Sequence, residues 1–394
     1  MEHVGFSNLG GKEFSMNSTK IALITNICSH YHQELFEVLS KKYQIRFYFT
    51  GGEESYWERK NLWDIKGLQA KRLKGIFILP KIKISLGLFT LWRKKEFDIF
   101  IKTIDDRFAL IFVFLTAKIF KKPFILWTGL WAHPQTVFHK ISFLFTRFIY
   151  RHSEAIIVYG EHVKKYLVNL GIDPGKIFCA SHATSNSVYN RDISEAEKLE
   201  LKQSLSVGRK KVILYVGRLE KCKGINYLIE ALSELRALNP LMFFIGSGKE
   251  RQILEEECRK HALVYLFLEH IPNSELYRYY AIADIFVLPS ITTPTFKEPW
   301  GMVINEAMNQ ACPVIATDAV GAAMGGLIDN GINGLVVAER NSLALRGAIE
   351  TVLKDDHMRY AMGKSAKKKI EGWTPQKTSE GFYRAVEYVL GQQR

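Results

Sequence analysis

Two glutamates stand eight positions apart in KEPWGMVINEAMNQACPVIATD, Lys297 to Asp318, with Glu298 directly before a proline and Glu306 inside an apolar run. Pro299 suits the first position of a helix, where its missing N–H costs nothing. Glu298 is then expected at the N-cap. Glu306 should follow roughly 12 Å further along the axis, at about 1.5 Å per residue. Between them the amides of Trp300, Gly301, Met302 and Val303 are expected as helix-start donors, an end that attracts phosphate through its free N–H groups and its dipole. One element would thus offer a carboxylate, an anion site and a second carboxylate. A sugar, a diphosphate and a ribose present hydroxyls, charge and hydroxyls in that same order. A glycosidase pair fits worse, because those carboxylates sit roughly 5–9.5 Å apart across one bond. For this segment by itself, a plain cap and a solvated helical glutamate remain the alternative.

Three further segments could join this chemistry. In VGRLEKCKG, Val216 to Gly224, a strand ends at Gly217, and Arg218 and Lys223 flank the turn into a helix. Two cations at the carboxyl end of a strand suit a diphosphate, Arg as a bidentate fork and Lys as a point charge. Two solvated loop cations are the plainer reading. In IGSGKERQ, Ile245 to Gln252, Gly246 opens a turn where a ligand could approach the backbone, although the pattern is not GxGxxG and a simple tight turn explains it too. In WTGLWAHP, Trp127 to Pro134, His133 follows a strand and could contact a sugar or phosphate. His30 in SHYHQ is its rival, and a structural role fits either histidine.

The elements that must hold these segments are legible as an alternation. KIALITNI, QIRFYFT, FDIFIKTI, PFILWTG and EAIIVYG are short β-branched and aromatic runs, separated in several places by amphipathic stretches such as HQELFEVLSKKY and HKISFLFTRFIYRH. This reads as βαβ units on a parallel sheet. After a polar stretch, Ser185 to Arg209, the alternation restarts with KVILYVG and continues through DIFVLPS and PVIAT. The expected class is α/β, with two Rossmann-like doubly wound domains facing across a cleft. The boundaries are a loose extension over 1–18 with Met16 as a candidate start, an N-terminal domain over 19–205, a C-terminal domain over 206–375, and a last helix over 376–394. Ligands of such sheets lie at the carboxyl ends of the strands.

Composition narrows the classes. The chain has 394 residues, 47% of them hydrophobic, enough for a large core and for two domains. Five scattered cysteines without CxxC spacing argue against a disulfide framework or a zinc site and for a reducing compartment. The first twenty residues lack an apolar h-region, so no signal peptide is expected. The longest apolar run, FALIFVFLTA, is too short to span a membrane and reads as a buried helix. The net charge is +14, and residues 1–205 carry 30 Lys and Arg against 19 Asp and Glu. That half should face something acidic. The segment KRLKGIFILPKIKISLGLFTLWRKK interleaves cations with Phe, Leu and Trp, which suits anionic head groups or a lipid-linked acceptor, although ordinary amphipathic elements also look like this.

Together the Glu-x7-Glu pair, the VGRLEKCKG and IGSGKERQ turns, ELYRYYAIADIFVLPS and PVIATDAVGAAMGGLIDNGINGLVV resemble the retaining glycosyltransferases of family four (glycosyltransferase group 1), which have the GT-B fold. The resemblance runs from about Lys20 onward and is strongest over 212–337. It implies that Glu298 meets the donor sugar and Glu306 the nucleotide ribose, with Arg218 and Lys223 clamping the diphosphate. Gly217, Gly246, Gly301, Met302 and Val303 would border the donor, and His133 would stand where the family places an active-site histidine. It also implies that the last helix crosses back to the first domain. Two departures stand out. The loop after the first strand reads TNICSHYHQEL rather than glycine-rich, which leaves the acceptor open. GAAMGGLI has glycines where an acidic residue often precedes Leu-Ile.

The expected reaction is transfer of a sugar, with retention, from a UDP- or GDP-linked donor to a glycan or lipid-linked acceptor in cell-surface polysaccharide or lipopolysaccharide synthesis. Catalysis would rest on positioning and on charge stabilisation of the departing diphosphate. The chain contains no DxD triplet, so no metal is expected on the diphosphate and no cofactor beyond the donor. The expected location is cytoplasmic, peripheral on the inner face of the membrane. The rivals are a nucleotide-sugar epimerase, a pyridoxal-type phosphorylase, for which no cofactor lysine is identifiable, and a basic binding module. No RNA-binding signature supports a nucleic-acid partner.

Overall fold

A computed structural model describes residues 18–51, 67–73, 75–79, 82–93 and 96–392. Most of the expected N-terminal extension, Met16 included, and parts of the basic 71–95 run lie outside these residues. The chain groups into two compact units, residues 1–124 and 125–394.

The first unit is built on near-continuous apolar strands, the pattern of a parallel sheet buried on both faces. Its elements are β1 (Lys20–Thr25), α1 (His30–Lys42), β2 (Gln44–Phe49), β3 (Ala70–Arg72), β4 (Ile76–Leu79), β5 (Ile82–Ile84), α2 (Thr90–Arg93), β6 (Ile99–Thr103) and α3 (Arg107–Ile119). Strands run parallel in the order β3-β2-β1-β6, and β4 and β5 form a small antiparallel pair. Ile21 to Ile24 and Ile99 to Ile101 are almost wholly buried. The apolar run 108–117 does form a helix, α3, but not a wholly buried one. Ala109, Leu110, Val113 and Phe114 face inward, whereas Ile111, Leu115 and Ile119 are exposed. A single helix covering one face of a sheet buries only one stripe, so a run apolar all round leaves the other stripe outside.

The second unit opens at β7 (Phe124–Thr128) and continues with α4 (Val137–His152), β8 (Ala155–Val158), α5 (Glu161–Asn169) and β9 (Ile177–Cys179). β7, β8 and β9 are parallel neighbours. The polar stretch after Ser185 is not a bare connection. It carries α6 (Asn186–Tyr189) and α7 (Glu195–Ser204), the latter started by a capping box between Ser194 and Glu197.

A six-stranded parallel sheet follows. Its elements are β10 (Val212–Val216), α8 (Ile225–Ser233), β11 (Leu241–Ile245), α9 (Arg251–Lys260), β12 (Val264–Leu268), α10 (Leu276–Ile282), β13 (Ile285–Leu288), α11 (Met302–Asn309), β14 (Val314–Thr317), α12 (Gly321–Met324) and β15 (Gly334–Val337). Then come α13 (Ser342–Lys354), α14 (Asp356–Glu371) and α15 (Pro375–Gly391). The strand order is β12-β11-β10-β13-β14-β15. Order therefore reverses between β10 and β13, and the crevice at their carboxyl ends is where such a sheet takes a ligand.

Thr374 caps α15 and Pro375 begins it. The helix packs on β8 and β9 rather than on the six-stranded sheet. Phe382 stands 5.0 Å, ring to ring, from Trp127, Tyr388 stands 5.3 Å from Phe178, and Thr378 Oγ1 donates to Ser181 O at 2.5 Å.

Candidate active site

The switch point brings two loops together, 217–224 after β10 and 289–301 after β13. Close backbone approach defines both. A Cβ on Gly246, at φ +143°, would sit 2.0 Å from Gly217 O, so the ends of β10 and β11 approach this closely only because position 246 carries no side chain. A Cβ on Gly224 would sit 2.1 Å from Pro289 O, and Ile291 N donates to Cys222 O at 2.9 Å, which joins the two loops.

The helix that follows does not begin at Pro299. Glu298 pairs with Val320 as a parallel bridge, its carbonyl accepts from Gly321 N at 3.1 Å, and Trp300 O accepts from Ala322 N at 2.7 Å. Residues 298–300 are thus held by backbone bonds against the turn after β14. The N-cap of α11 is Gly301, in the left-handed region at φ +95°. Glu298 is therefore not the cap and Pro299 is not the first helical residue. A longer-range bridge outcompetes the local start signal. Met302 and Val303 head the helix, so their amides lack intrahelical partners.

Lys223 and Glu298 meet at this point. Lys223 Nζ donates to Glu298 Oε2, Ser290 Oγ donates to the same oxygen at 3.1 Å, and the Phe296 ring lies 5.4 Å from the ammonium. Both side chains are about nine-tenths buried, at 11% and 10% exposure. Two opposite charges buried together, with a hydroxyl completing the set, form a rigid polar cluster. Arg218 stands apart from it. Its guanidinium pairs with Glu220 at 2.9 Å on the surface, while its carbonyl accepts from the Tyr215 hydroxyl at 2.7 Å.

Glu306 is on the middle turn of α11, buried, and accepts from the Tyr280 hydroxyl at 2.8 Å. Burial pushes its carboxyl up to about 7, partly offset by the Tyr280 and Tyr189 hydroxyls. Its hydroxyl partners lie on α10 and α6, and it shares none of them with the Lys223–Glu298 pair.

Of the two histidine candidates, His133 sits at the approach to α4, its Nε2 2.8 Å from His139 O and its ring 4.5 Å from Phe143. His30 heads α1 in the first unit, its ring 5.0 Å from Tyr31. The residues that do reach the 298–300 segment are others. Trp131 Nε1 donates to Glu298 O at 2.9 Å, and Lys297 Nζ stands 3.7 Å over the Trp131 ring. His162 Nε2 lies 3.0 Å from Pro299 O, which assigns the proton to that nitrogen. Burial lowers the His162 pKa to about 4, so the ring is neutral near pH 7. Trp300 Nε1 donates to Asn305 Oδ1, and Asn305 Nδ2 to His182 O. Trp131 lies within a segment singled out from sequence, but its indole carries no local signal of its target. His162 lies in a helix start, GEHVKKY, that looks ordinary.

Among the described residues, no group of three or more His, Cys, Asp or Glu is placed to hold a metal ion, and all five cysteines are free thiols.

Residues 197–369, which span both loops and α11, match the family model of the glycosyl transferases group 1. An uncharacterized glycosyltransferase of Methanocaldococcus jannaschii is 30% identical over 249 residues, 61% of this chain and 60% of that relative. A capsular polysaccharide biosynthesis glycosyltransferase of Staphylococcus aureus is 28% identical over 227 residues, 55% of this chain and 56% of the relative. The matches thus span somewhat over half the length of these relatives. An Anabaena protein crystallised with UDP superposes with a TM-score of 0.72 over 94% of this chain and 99% of its own, at 17% identity. The two parallel α/β sheets, with that likeness, make the fold GT-B. Over residues 197–369 the chain is thus similar to the glycosyl transferases group 1.

Proposed function

We propose that the protein is a retaining glycosyltransferase that moves a sugar from a nucleotide-diphosphate donor to a glycan or lipid-linked acceptor of a cell-surface polysaccharide. Residues 206–375 hold the donor, and residues 19–205 bind the acceptor. The observation that carries this reading is the buried Lys223–Glu298 pair at the switch point, beside the open N-terminus of α11. A diphosphate laid against Met302 and Val303 gains the helix-start amides, and Lys223 adds a fixed cation. Arg218, at the rim, closes on the same charge. Glu298 orients Lys223 and accepts from the donor sugar, and Glu306 serves the ribose. Gly217 and Gly246 keep the strand ends low enough for the nucleotide to approach. His133 contacts the sugar or phosphate from its loop.

Charge leaves with the diphosphate in the transition state. Cations fixed before the reaction stabilise that charge without reorganising, so the step needs no protein nucleophile and no metal. The departing phosphate oxygen can take the acceptor's proton on the same face, which retains the anomeric configuration. UDP is the favoured nucleotide, because the Anabaena protein of similar fold was crystallised with UDP and with UDP-glucose.

The test is a thermal-shift and turnover screen of UDP-, GDP- and ADP-sugars, with and without EDTA. Stabilisation by one donor, insensitivity to EDTA and loss in Lys223→Met are expected. Equal binding by Lys223→Met contradicts the assignment.

A further inference from the structure

The segment that carries Glu298 is held by more donors than its own sheet supplies. Glu298 O accepts from Gly321 N at 3.1 Å and also from Trp131 Nε1 at 2.9 Å. Pro299 O meets His162 Nε2 at 3.0 Å, and Trp300 O accepts from Ala322 N at 2.7 Å. Upstream, Gln135 N donates to Pro294 O at 2.6 Å. Gly321 and Ala322 follow β14, but Trp131 and Gln135 lie in the loop after β7, and His162 lies at the start of α5. Three donors thus reach from residues 131–162, assigned above to the acceptor half, to residues 294–299, assigned to the donor half.

Trp131 spends more of its side chain on this segment than the other two. An indole has a single donor, and here it goes to Glu298 O, 167 positions away. Lys297 Nζ stands 3.7 Å over the ring, and the His162 ring stands edge-on to it at 4.9 Å. The N–H and the ring therefore serve Glu298, its neighbour Lys297 and the histidine that holds Pro299. A residue that only filled space would need the ring alone. The carbonyl it fixes belongs to the residue whose carboxylate takes Lys223 and Ser290. A side chain is placed only as well as its backbone is placed, and a shift of about 1 Å at a reacting site can cost on the order of a hundredfold in rate.

We propose that Trp131 is a positioning residue: its indole N–H fixes the Glu298 backbone so that the Glu298 carboxylate stays on Lys223, a role that rests on the donor reading of this site. The test compares wild type with Trp131→Phe, which keeps a ring for Lys297 and His162 and lacks the N–H. Hydrogen exchange of the Gly321 and Ala322 amides, without ligand, reads the backbone of 298–300. The Gly217 and Gly246 amides, which donate to Ile245 O and Leu268 O, are the reference. In Trp131→Phe the first pair should exchange about fivefold faster or more, the worth of one net hydrogen bond, with the reference unchanged. A general loss of stability would raise all four alike. Turnover of the nucleotide sugar that the screen selects should lose about tenfold or more in kcat, with KM within about threefold of wild type. If Trp131→Phe does not fold, the wild type still decides, because its Trp131 indole proton should be protected from exchange. Unchanged or uniformly raised exchange in the folded variant, an unprotected indole proton, or faster exchange with unchanged kcat would each overturn the proposal. A wild type that turns over no nucleotide sugar would refute the donor reading instead, and exchange alone would then decide whether Trp131 places Glu298.

Discussion

Replacing Lys223 by methionine keeps the length of the side chain and removes the charge that Glu298 faces. The carboxylate is about nine-tenths buried, and its remaining side-chain donor in the cluster is Ser290 at 3.1 Å. Breaking a buried pair by removing one partner destabilises by about 3–5 kcal/mol, mostly because the other charge stays buried and unpaired. Glu298→Gln removes the opposite charge while preserving an acceptor for Ser290, and should be milder. The double variant Lys223→Met/Glu298→Gln leaves no buried charge. It should recover most of the loss, with a coupling of at least about 2 kcal/mol in the double-mutant cycle. The assay is urea unfolding followed by both tryptophan fluorescence and far-ultraviolet circular dichroism, because coincident transitions are needed before a free energy is assigned to a chain of two units. If Lys223→Met stays within about 1 kcal/mol of wild type, or the double variant is no better than the single, the pair does not organise the site.

Three other outcomes are expected. Glu306 has its carboxyl raised to about 7 by burial, so the folded state binds a proton that the unfolded state releases, and stability should fall as pH rises from about 4.5 to 7. The change is on the order of 3 kcal/mol, and Glu306→Gln should abolish that slope in urea titrations, whereas an unchanged slope contradicts the assignment. His162 has its pKa lowered to about 4, which reverses the sign: its contribution is present above about 6.5 and is lost as pH falls toward 4. His162→Gln should therefore be less acid-labile than wild type relative to its own stability at pH 8, and equal acid sensitivity would show that the ring is not held neutral. Gly246→Ala must place a methyl 2.0 Å from the Gly217 carbonyl in a left-handed conformation, so it should lose at least about 2 kcal/mol and most nucleotide binding, while Gly347→Ala, with open space around it, should lose neither.

The alternation of apolar runs was enough to read the α/β class, because strands buried on both faces and helices with one apolar stripe differ in length and period. The Lys223–Glu298 meeting was partly legible. Lys223 stood out in the turn after a strand and Glu298 as an expected helix cap, but their contact spans 75 positions and depends on strand order, which no local pattern states. The start of α11 was misplaced because Pro299 obeys a local rule, while the bridge of Glu298 to Val320 is a tertiary one. Trp131 and His162 were missed for a related reason. Each contacts a backbone carbonyl, of Glu298 and of Pro299, and a carbonyl leaves no trace in residue type. The exposed stripe of α3 was hidden because an apolar run does not say which of its faces the sheet will cover.

We propose that the switch point between β10 and β13 binds a nucleotide-diphosphate sugar through Lys223 and the head of α11. The most direct measurement is calorimetric titration of UDP-glucose, GDP-mannose and ADP-glucose into wild type and into the folded Lys223→Met/Glu298→Gln variant, in EDTA. The account predicts binding of one donor by the wild type and at least a tenfold loss in the double variant. Binding of equal strength by both proteins, or binding that EDTA abolishes, would contradict it.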